Sequence, residues 1–336
     1  YSDTDLMIGR ADFLTEVQAR QRMNELSSQA VPYIFIIDFL KENSLVIPLA
    51  ALHSDSIQYD FSGFTNAVQS KIENREVEFK KFPQSFEDFE KSFKLVMEEI
   101  LYGNSFLLNL TCQTPIEINF SLGEIFQKSK ARYKLLLQGS YVCFSPETFV
   151  RIKDKHIYSY PMKGTIDASI EDAENIILND PKEKAEHYTI VDLIRNDLSM
   201  VSDKVRVTKF RYIDRLKTNF GEILQVSSEV EGTLRDGYTA HLGDIIFTLL
   251  PAGSISGAPK ERTVQIIRSA ETYDRGFYTG IAGIFDGENL DSTVLIRFIE
   301  EQDGRKYFKS GGGITFMSDA RAEYEEMISK VYVPFS

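Results

Sequence analysis

Two rhythms of apolar residues divide this chain of 336 residues, one of period two and one helical. Pro32 to Ile37 and Ser44 to Ile47 read as short strands joined by Lys41-Glu42-Asn43, a predicted hairpin. The charged stretch from Glu73 to Lys81 reads as a surface connection. Behind Ser85, with Asp88 three residues on, Phe86, Phe89, Phe93, Met97, Ile100 and Leu101 recur at helical spacing, which predicts a capped helix with an aromatic stripe turned to the core. Gly103-Asn104 ends it, and Ser105 to Gln113 follows as a strand with one polar face, Phe106, Leu108, Leu110 and Cys112 alternating against Ser105, Asn109 and Thr111. Further strand patterns cover Tyr141–Phe144, Thr148–Ile152, His156–Tyr160, Val205–Lys209, Glu222–Glu231, Tyr278–Phe285, Ser292–Glu300 and Lys306–Ser310. Helical patterns fall near residues 183–199, 238–249, 260–270 and 320–331. Consecutive short strands with helices interspersed predict an α+β fold with largely antiparallel sheets. There is no internal repeat and no low-complexity segment.

Composition narrows the function. At 43% hydrophobic the chain can bury a sizeable core, and its length allows one large domain or two smaller ones. A net charge of -12, from 50 acidic and 38 basic residues, argues against a nucleic-acid or anionic-membrane surface, so an anionic ligand must be captured by local geometry. Cys112 and Cys143 lack C-x-x-C or metal-ligand spacing and read as reduced core thiols. His53, His156, His187 and His241 are scattered without an H-x-x-x-H pair, which gives a zinc hydrolase little support. Apolar runs such as Tyr33–Ile37 are too short to span a bilayer, and the start carries no hydrophobic signal-peptide core. The expectation is a cytoplasmic protein.

Four segments have compositions that packing alone does not require. In Tyr160-Pro161-Met162-Lys163-Gly164-Thr165 a strand-like run gives way to a glycine turn. Lys163 alone reads as a solvated charge; Gly164 permits close backbone approach to a ligand and Thr165 offers a hydroxyl and an amide. In Lys184–Leu198, Ala185, Tyr188, Val191, Leu193, Ile194 and Leu198 make an apolar stripe beside Glu186, Arg195, Asn196 and Asp197. A capping or ion-pair role for Arg195-Asn196-Asp197 stands beside contact with substrate. Pro251-Ala252-Gly253-Ser254-Ile255-Ser256-Gly257-Ala258-Pro259-Lys260 is a small-residue loop opening onto a helix, suited either to anion binding by backbone N–H groups or to simple connection. Ser310-Gly311-Gly312-Gly313-Ile314-Thr315 leads to a helix on which Glu323 and Glu326, spaced i,i+3, share a face while Glu325 points elsewhere. Carboxylates at a helix start also gain from the helix dipole.

In this order and spacing the four segments resemble the chorismate-utilising enzymes, from about residue 85 to the C-terminus. The resemblance implies one α+β domain over residues 1–336, two packed, largely antiparallel sheets flanked by helices, with residues 1–84 a shortened N-terminal part and 85–336 the core carrying the motifs. It implies chorismate as substrate and Mg²⁺ as cofactor, held by Glu186, Glu326 and the substrate's ring carboxylate. Glu147 of Ser145-Pro146-Glu147 and Glu323 match accessory acids, Glu147 and Glu186 being counted with the catalytic residues. Gly164, Thr165, Gly312 and Gly313 match ligand-binding positions, and Lys260, Tyr278 and Arg297 match substrate-binding ones, Arg297 able to fork onto a carboxylate.

Lys163 resembles the aminodeoxychorismate synthase component I group, whereas anthranilate synthases carry alanine there. The implied mechanism is attack of the Lys163 amine at ring carbon C2 with loss of the C4 hydroxyl, followed by entry of ammonia at C4 and expulsion of the lysine, on the way to 4-aminobenzoate and folate. Attack needs a neutral amine, so a lowered pKa is expected. Where the family often has histidine before the Val-Ser segment, this chain has Gln225, which cannot be a general acid. The start lies inside the N-terminal region of longer relatives, so amino-acid regulation is not expected. Neither cysteine sits in a nucleophile turn, so ammonia is expected from a separate glutamine amidotransferase subunit. Anthranilate synthase component I, another chorismate-utilising enzyme and a non-catalytic chorismate-binding regulatory subunit are the alternatives.

Overall fold

A computed structural model describes residues 12–68, 75–218 and 221–335. In chain order its first strands are β1 (Tyr33–Ile37), β2 (Ser44–Pro48), β3 (Ile57–Phe61), β4 (Phe64–Thr65), β5 (Phe79–Lys81), β6 (Leu107–Ile118), β7 (Tyr133–Leu137), β8 (Tyr141–Ser145) and β9 (Thr148–Lys153). There follow β10 (His156–Ser159), β11 (Met162–Asp167), β12 (Asp203–Thr218), β13 (Gly221–Thr233), β14 (Gly257–Ala258), β15 (Ile281–Phe285), β16 (Leu290–Val294), β17 (Phe298–Gln302) and β18 (Arg305–Ile314). The helices are α1 (Glu16–Ser28), α2 (Phe86–Leu101), α3 (Leu122–Lys128), α4 (Ala173–Asn179), α5 (Pro181–Val201), α6 (Leu242–Leu249), α7 (Gly253–Ser256), α8 (Lys260–Ala270) and α9 (Ala320–Ser329).

The strands form two antiparallel sheets. One runs β11-β13-β10-β9-β16-β15-β1-β2 with β12 beside β13; the other runs β14-β6-β18-β17-β8-β7-β3-β4 with β5 beside β6. They pack face to face through Ile34 and Ile36 of β1, Ile284 of β15, Tyr59 of β3 and Leu135 of β7. Helices cover the outer faces. Tyr33, Phe35 and Ile37 meet Ile190 and Leu198 of α5 and Ile246 of α6, while Leu108 and Leu110 of β6 meet Phe89 and Phe93 of α2 and Ile267 of α8. β1 is therefore buried on both faces, which is why it reads as an unbroken apolar run. The predicted α+β architecture of two packed antiparallel sheets is the observed one.

Local signals account for most helix starts. Ser85 Oγ accepts from Asp88 N at the start of α2, Ser121 and Glu124 form a capping box on α3, and Asp180 caps α5 with Pro181 in its first turn. Leu101, counted in the aromatic stripe, is exposed, while Ile100 in the same turn stays buried in the core. Of the charged stretch 73–81, residues 73 and 74 lie outside the described residues, and Phe79–Lys81 pairs with β6 as an edge strand. The main departure concerns Ser292–Glu300. It is not one strand: β16 belongs to the first sheet and β17 to the second, with Leu295, Ile296 and Arg297 crossing between them.

Candidate active site

The site is built where the chain changes sheets. β8 and β9 lie in different sheets and the turn between them is Pro146-Glu147; the other crossing carries Arg297. Phe144 N donates to Arg297 O (3.1 Å), and Val294 N and Thr293 Oγ1 donate to Glu147 O (3.3 and 2.7 Å), so the crossings are hydrogen-bonded side by side. Arg297 holds φ 55, a left-handed conformation that a non-glycine residue adopts at some cost. Its guanidinium stands 5.9 Å from the Tyr332 ring and makes no ion pair among the described residues. Burial pushes the Glu147 carboxyl above the ordinary carboxylate range, a hydrogen bond from Ser254 and the charge of Arg297 opposing that rise.

Lys163 comes from β11. The β11–β13 register slips between Met162 and Thr165, so Lys163 and Gly164 occupy a bulge, with Gly164 at φ 85. A Cβ on Gly164 would stand 3.0 Å from Glu183 Oε2, which leaves little room for a side chain. The bulge aims Lys163 at α5, where its Nζ meets Glu186 Oε2 at 2.6 Å. Burial alone would lower the Lys163 pKa, yet Glu186, Glu183 and Glu326 together raise it. The expected lowering is therefore overturned here: three carboxylates outweigh desolvation and hold the amine protonated.

The opposite wall is β18 and α9. Gly312 faces Glu323 and Glu326, and a Cβ there would come within 3.2 Å of Glu323 Oε2 and 3.9 Å of Glu326 Oε1. Glu323 is buried and accepts from Ser318 Oγ (2.8 Å). Sequence reasoning missed Lys330. One helical turn after Glu326, it bonds Glu326 Oε1 (2.8 Å) and Gly311 O (2.9 Å); the i,i+4 spacing was the available signal. His187, also missed, is fully buried beside Glu186, with Nε2 2.7 Å from Ser228 Oγ and burial pulling its pKa down to about 4, so a neutral imidazole pins α5 to β13.

Other expected residues have less open settings. Thr165 is exposed opposite Gln225 in the β11–β13 ladder, and Gly313 lies opposite Asn109. Tyr278 is buried with its ring 5.9 Å from Phe298. Lys260, expected at substrate, is engaged within the chain: its Nζ donates to Leu249 O (2.7 Å) and pairs with Asp197 Oδ2 (2.9 Å). Nor is the small-residue loop an open anion cradle, because Gly257 and Ala258 pair with β6 and residues 253–256 form α7. Arg195 pairs with Asp192 on the exposed face of α5, as a solvated charge would.

The hard carboxylate oxygens of Glu186 and Glu326 suit Mg²⁺, and each is already met by a cation, Lys163 and Lys330 respectively. Among the described residues no three His, Cys, Asp or Glu side chains converge as a ligand group. Glu186 and Glu326 are thus two ion-paired carboxylates with oxygens of the right chemistry, and no ready-made cage surrounds them among the described residues.

The family described as chorismate binding enzyme matches residues 23–335. The chain belongs to this family. This chorismate-binding enzyme is 53% identical over 314 residues to a Haemophilus influenzae protein named "Uncharacterized PabA-like protein", covering 94% of this chain and 95% of the relative. It is 32% identical over 265 residues to aminodeoxychorismate synthase component 1 of Bacillus subtilis, covering 74% of this chain and 55% of that relative's length. Anthranilate synthase component I from Streptococcus pneumoniae superposes with a TM-score of 0.63 at 28% identity, covering 76% of this chain and 58% of that one. The menaquinone-specific isochorismate synthase MenF of Escherichia coli gives 0.73 at 16% identity over 96% of this chain and 83% of that one, a likeness of fold alone. Among the described residues no helix of the chorismate-binding enzyme is long and apolar enough to cross a membrane.

Proposed function

We propose that this chorismate-binding enzyme is aminodeoxychorismate synthase component I, a Mg²⁺-dependent enzyme that converts chorismate and ammonia to 4-amino-4-deoxychorismate. The observation that carries the reading is Lys163, aimed by a backbone bulge into a wall of carboxylates 2.6 Å from Glu186. The likeness to the B. subtilis component supports it. In the proposed reaction Lys163 gives a proton to the Glu186 carboxylate 2.6 Å away, and the neutral amine forms a bond to ring carbon C2 as both ring double bonds shift and the C4–O bond breaks, its electron pair leaving on oxygen. Gln225 cannot supply the proton that oxygen needs; Glu147, raised in pKa by burial, suits the task. Arg297, half-buried and without an ion pair among the described residues, binds a substrate carboxylate. Glu186 and Glu326 would hold Mg²⁺, which would supply positive charge against the carboxylates around Lys163 and against an anionic substrate. Ammonia then forms the C4–N bond as the ring double bonds shift back and the C2–N bond breaks, its electron pair returning to the Lys163 nitrogen.

The ammonia source is a partner glutamine amidotransferase. Burial pushes the Cys112 thiol up to about 12 and raises Cys143 further, so neither is a glutaminase nucleophile. A cytoplasmic location goes with reduced thiols. Anthranilate synthase is the second reading, favoured by the S. pneumoniae likeness. Intact-mass measurement with chorismate and Mg²⁺ but no ammonia tests the first. An adduct on wild type that Lys163→Ala lacks is expected; no adduct, with anthranilate formed once ammonia is added, decides for the second.

A further inference from the structure

Two motifs that the chemistry above leaves unused, Arg195-Asn196-Asp197 and Pro251–Lys260, meet beside Glu147. Ser254, on α7, donates its hydroxyl to Glu147 Oε1 at 2.6 Å. α7 has only four residues and sits in a loop, so something else must hold it in place. The pairing of Gly257 and Ala258 with β6 holds one end, Arg275 bonds Ile255 O, and Lys260 ties the two ends together. Its ammonium reaches back to the carbonyl of Leu249, where α6 ends, and closes residues 249–260 into a ring. The same ammonium pairs with buried Asp197 on α5, and Gly253 lies against that carboxylate: a Cβ there would stand 2.9 Å from Asp197 Oδ2 and 3.0 Å from Leu193. Glu147, Asp197, Gly253 and Ser254 also line one cavity of about 20 Å³, room for a single water.

We propose that the Asp197–Lys260 pair is a positioning device for Glu147: it locks the ring that holds the Ser254 hydroxyl on Oε1, leaving Oε2 to carry the transferable proton. A hydroxyl donating to Oε1 satisfies that oxygen whether the carboxyl is ionised or not, and it stabilises the carboxylate left behind. When the Oε2–H bond breaks, its proton goes to the departing C4 oxygen and leaves as water. Three other ionisable groups face Glu147 or line its cavity, Arg297 from the β16–β17 crossing, Asp197 from α5 and Tyr160 after β10, and Lys260 stands behind Asp197. The kinetic consequence rests on the reading of Glu147 as proton donor; the placement of Ser254 does not.

The test is ¹³C-carboxyl NMR titration of Glu147, its resonance assigned by its loss in Glu147→Gln. Ser254→Ala is expected to raise the Glu147 midpoint, because a donor to the ionised form is gone, while Ser254→Thr keeps a hydroxyl and the wild-type value. Lys260→Met raises it too, and adds nothing when combined with Ser254→Ala. A purely through-space effect of the lysine charge would add in full, and that result overturns the proposal. Gly253→Ala displaces α7 without changing any charge; it is expected to mimic Ser254→Ala and carries the test if Lys260→Met does not fold. An unmoved midpoint in folded Gly253→Ala equally overturns it. In chorismate consumption, Ser254→Ala is expected to lower kcat on the order of tenfold with KM within about twofold. If wild type consumes no chorismate the functional reading falls, and the NMR midpoints still decide the positioning claim.

Discussion

Two lysine–carboxylate pairs sit on α5, and they are opposite in use. Lys163 meets Glu186 near the start of the helix, and Lys260 meets Asp197 near its end, at 2.6 and 2.9 Å. Both lysines lose hydration on burial. Around Lys163 the carboxylates of Glu186, Glu183 and Glu326 win and its pKa rises; around Lys260 burial wins over Asp197 and its pKa falls. The Lys163 side chain keeps 32% of its surface exposed and points among acids, whereas that of Lys260 keeps 18% and spends a second hydrogen bond on a backbone carbonyl. The difference teaches that the distance within an ion pair does not identify a reactive lysine. What matters is how many charges surround the pair and whether the amine has another fixed partner.

Lys260→Met sharpens this contrast most. It leaves Asp197 buried without its cation and is expected to cost about 3–5 kcal/mol in urea unfolding. Lys163→Met is expected to cost less, because the acids around it can take up a proton in its absence; equal losses would erase the distinction. Arg297 comes next. With no ion pair to lose, Arg297→Met is expected to leave stability nearly unchanged and to raise KM for chorismate on the order of tenfold or more, with Arg297→Lys recovering only part. A large drop in Tm would make Arg297 structural instead. The smallest effect belongs to Glu147. Its folded pKa is raised, so the protonated form favours folding, and that contribution is lost as pH rises from the ordinary carboxyl range through the raised value. Glu147→Gln is therefore expected to melt slightly above wild type near pH 8 and with it near pH 4, as calorimetry at the two pH values would read.

Much of this was readable from residue order. The α2 stripe, the Ser85 cap, the alternating start of β6 and the apolar runs of β8 and β9 are set by neighbours a few residues apart, and they appear where the pattern puts them. The helix carrying Glu186 was readable too, and so was the Gly312–Glu326 segment. Lys260 was not. Its motif resembles a ligand-binding one, but its partners are the carbonyl eleven residues back and a carboxylate on another helix. Lys330 was passed over because a lysine in the last turn of a helix looks like a solvated charge or a dipole partner.

The clearest division falls at Ser292–Glu300. The apolar run of Val294, Leu295, Ile296, Phe298 and Ile299 marks these residues as strand, because β-branched and aromatic side chains suit a buried sheet. It could not reveal that the chain leaves one sheet at Val294 and enters the other at Phe298, since the inward faces of both sheets are apolar and the pattern runs on unbroken. That choice is made by partners far away in sequence, Thr148 and Ile281 for β16 and Val142 and Lys309 for β17. The crossing sets Arg297 beside Glu147. Residue order supplied the chemical groups and their local elements; long-range strand pairing decided which of them stand together.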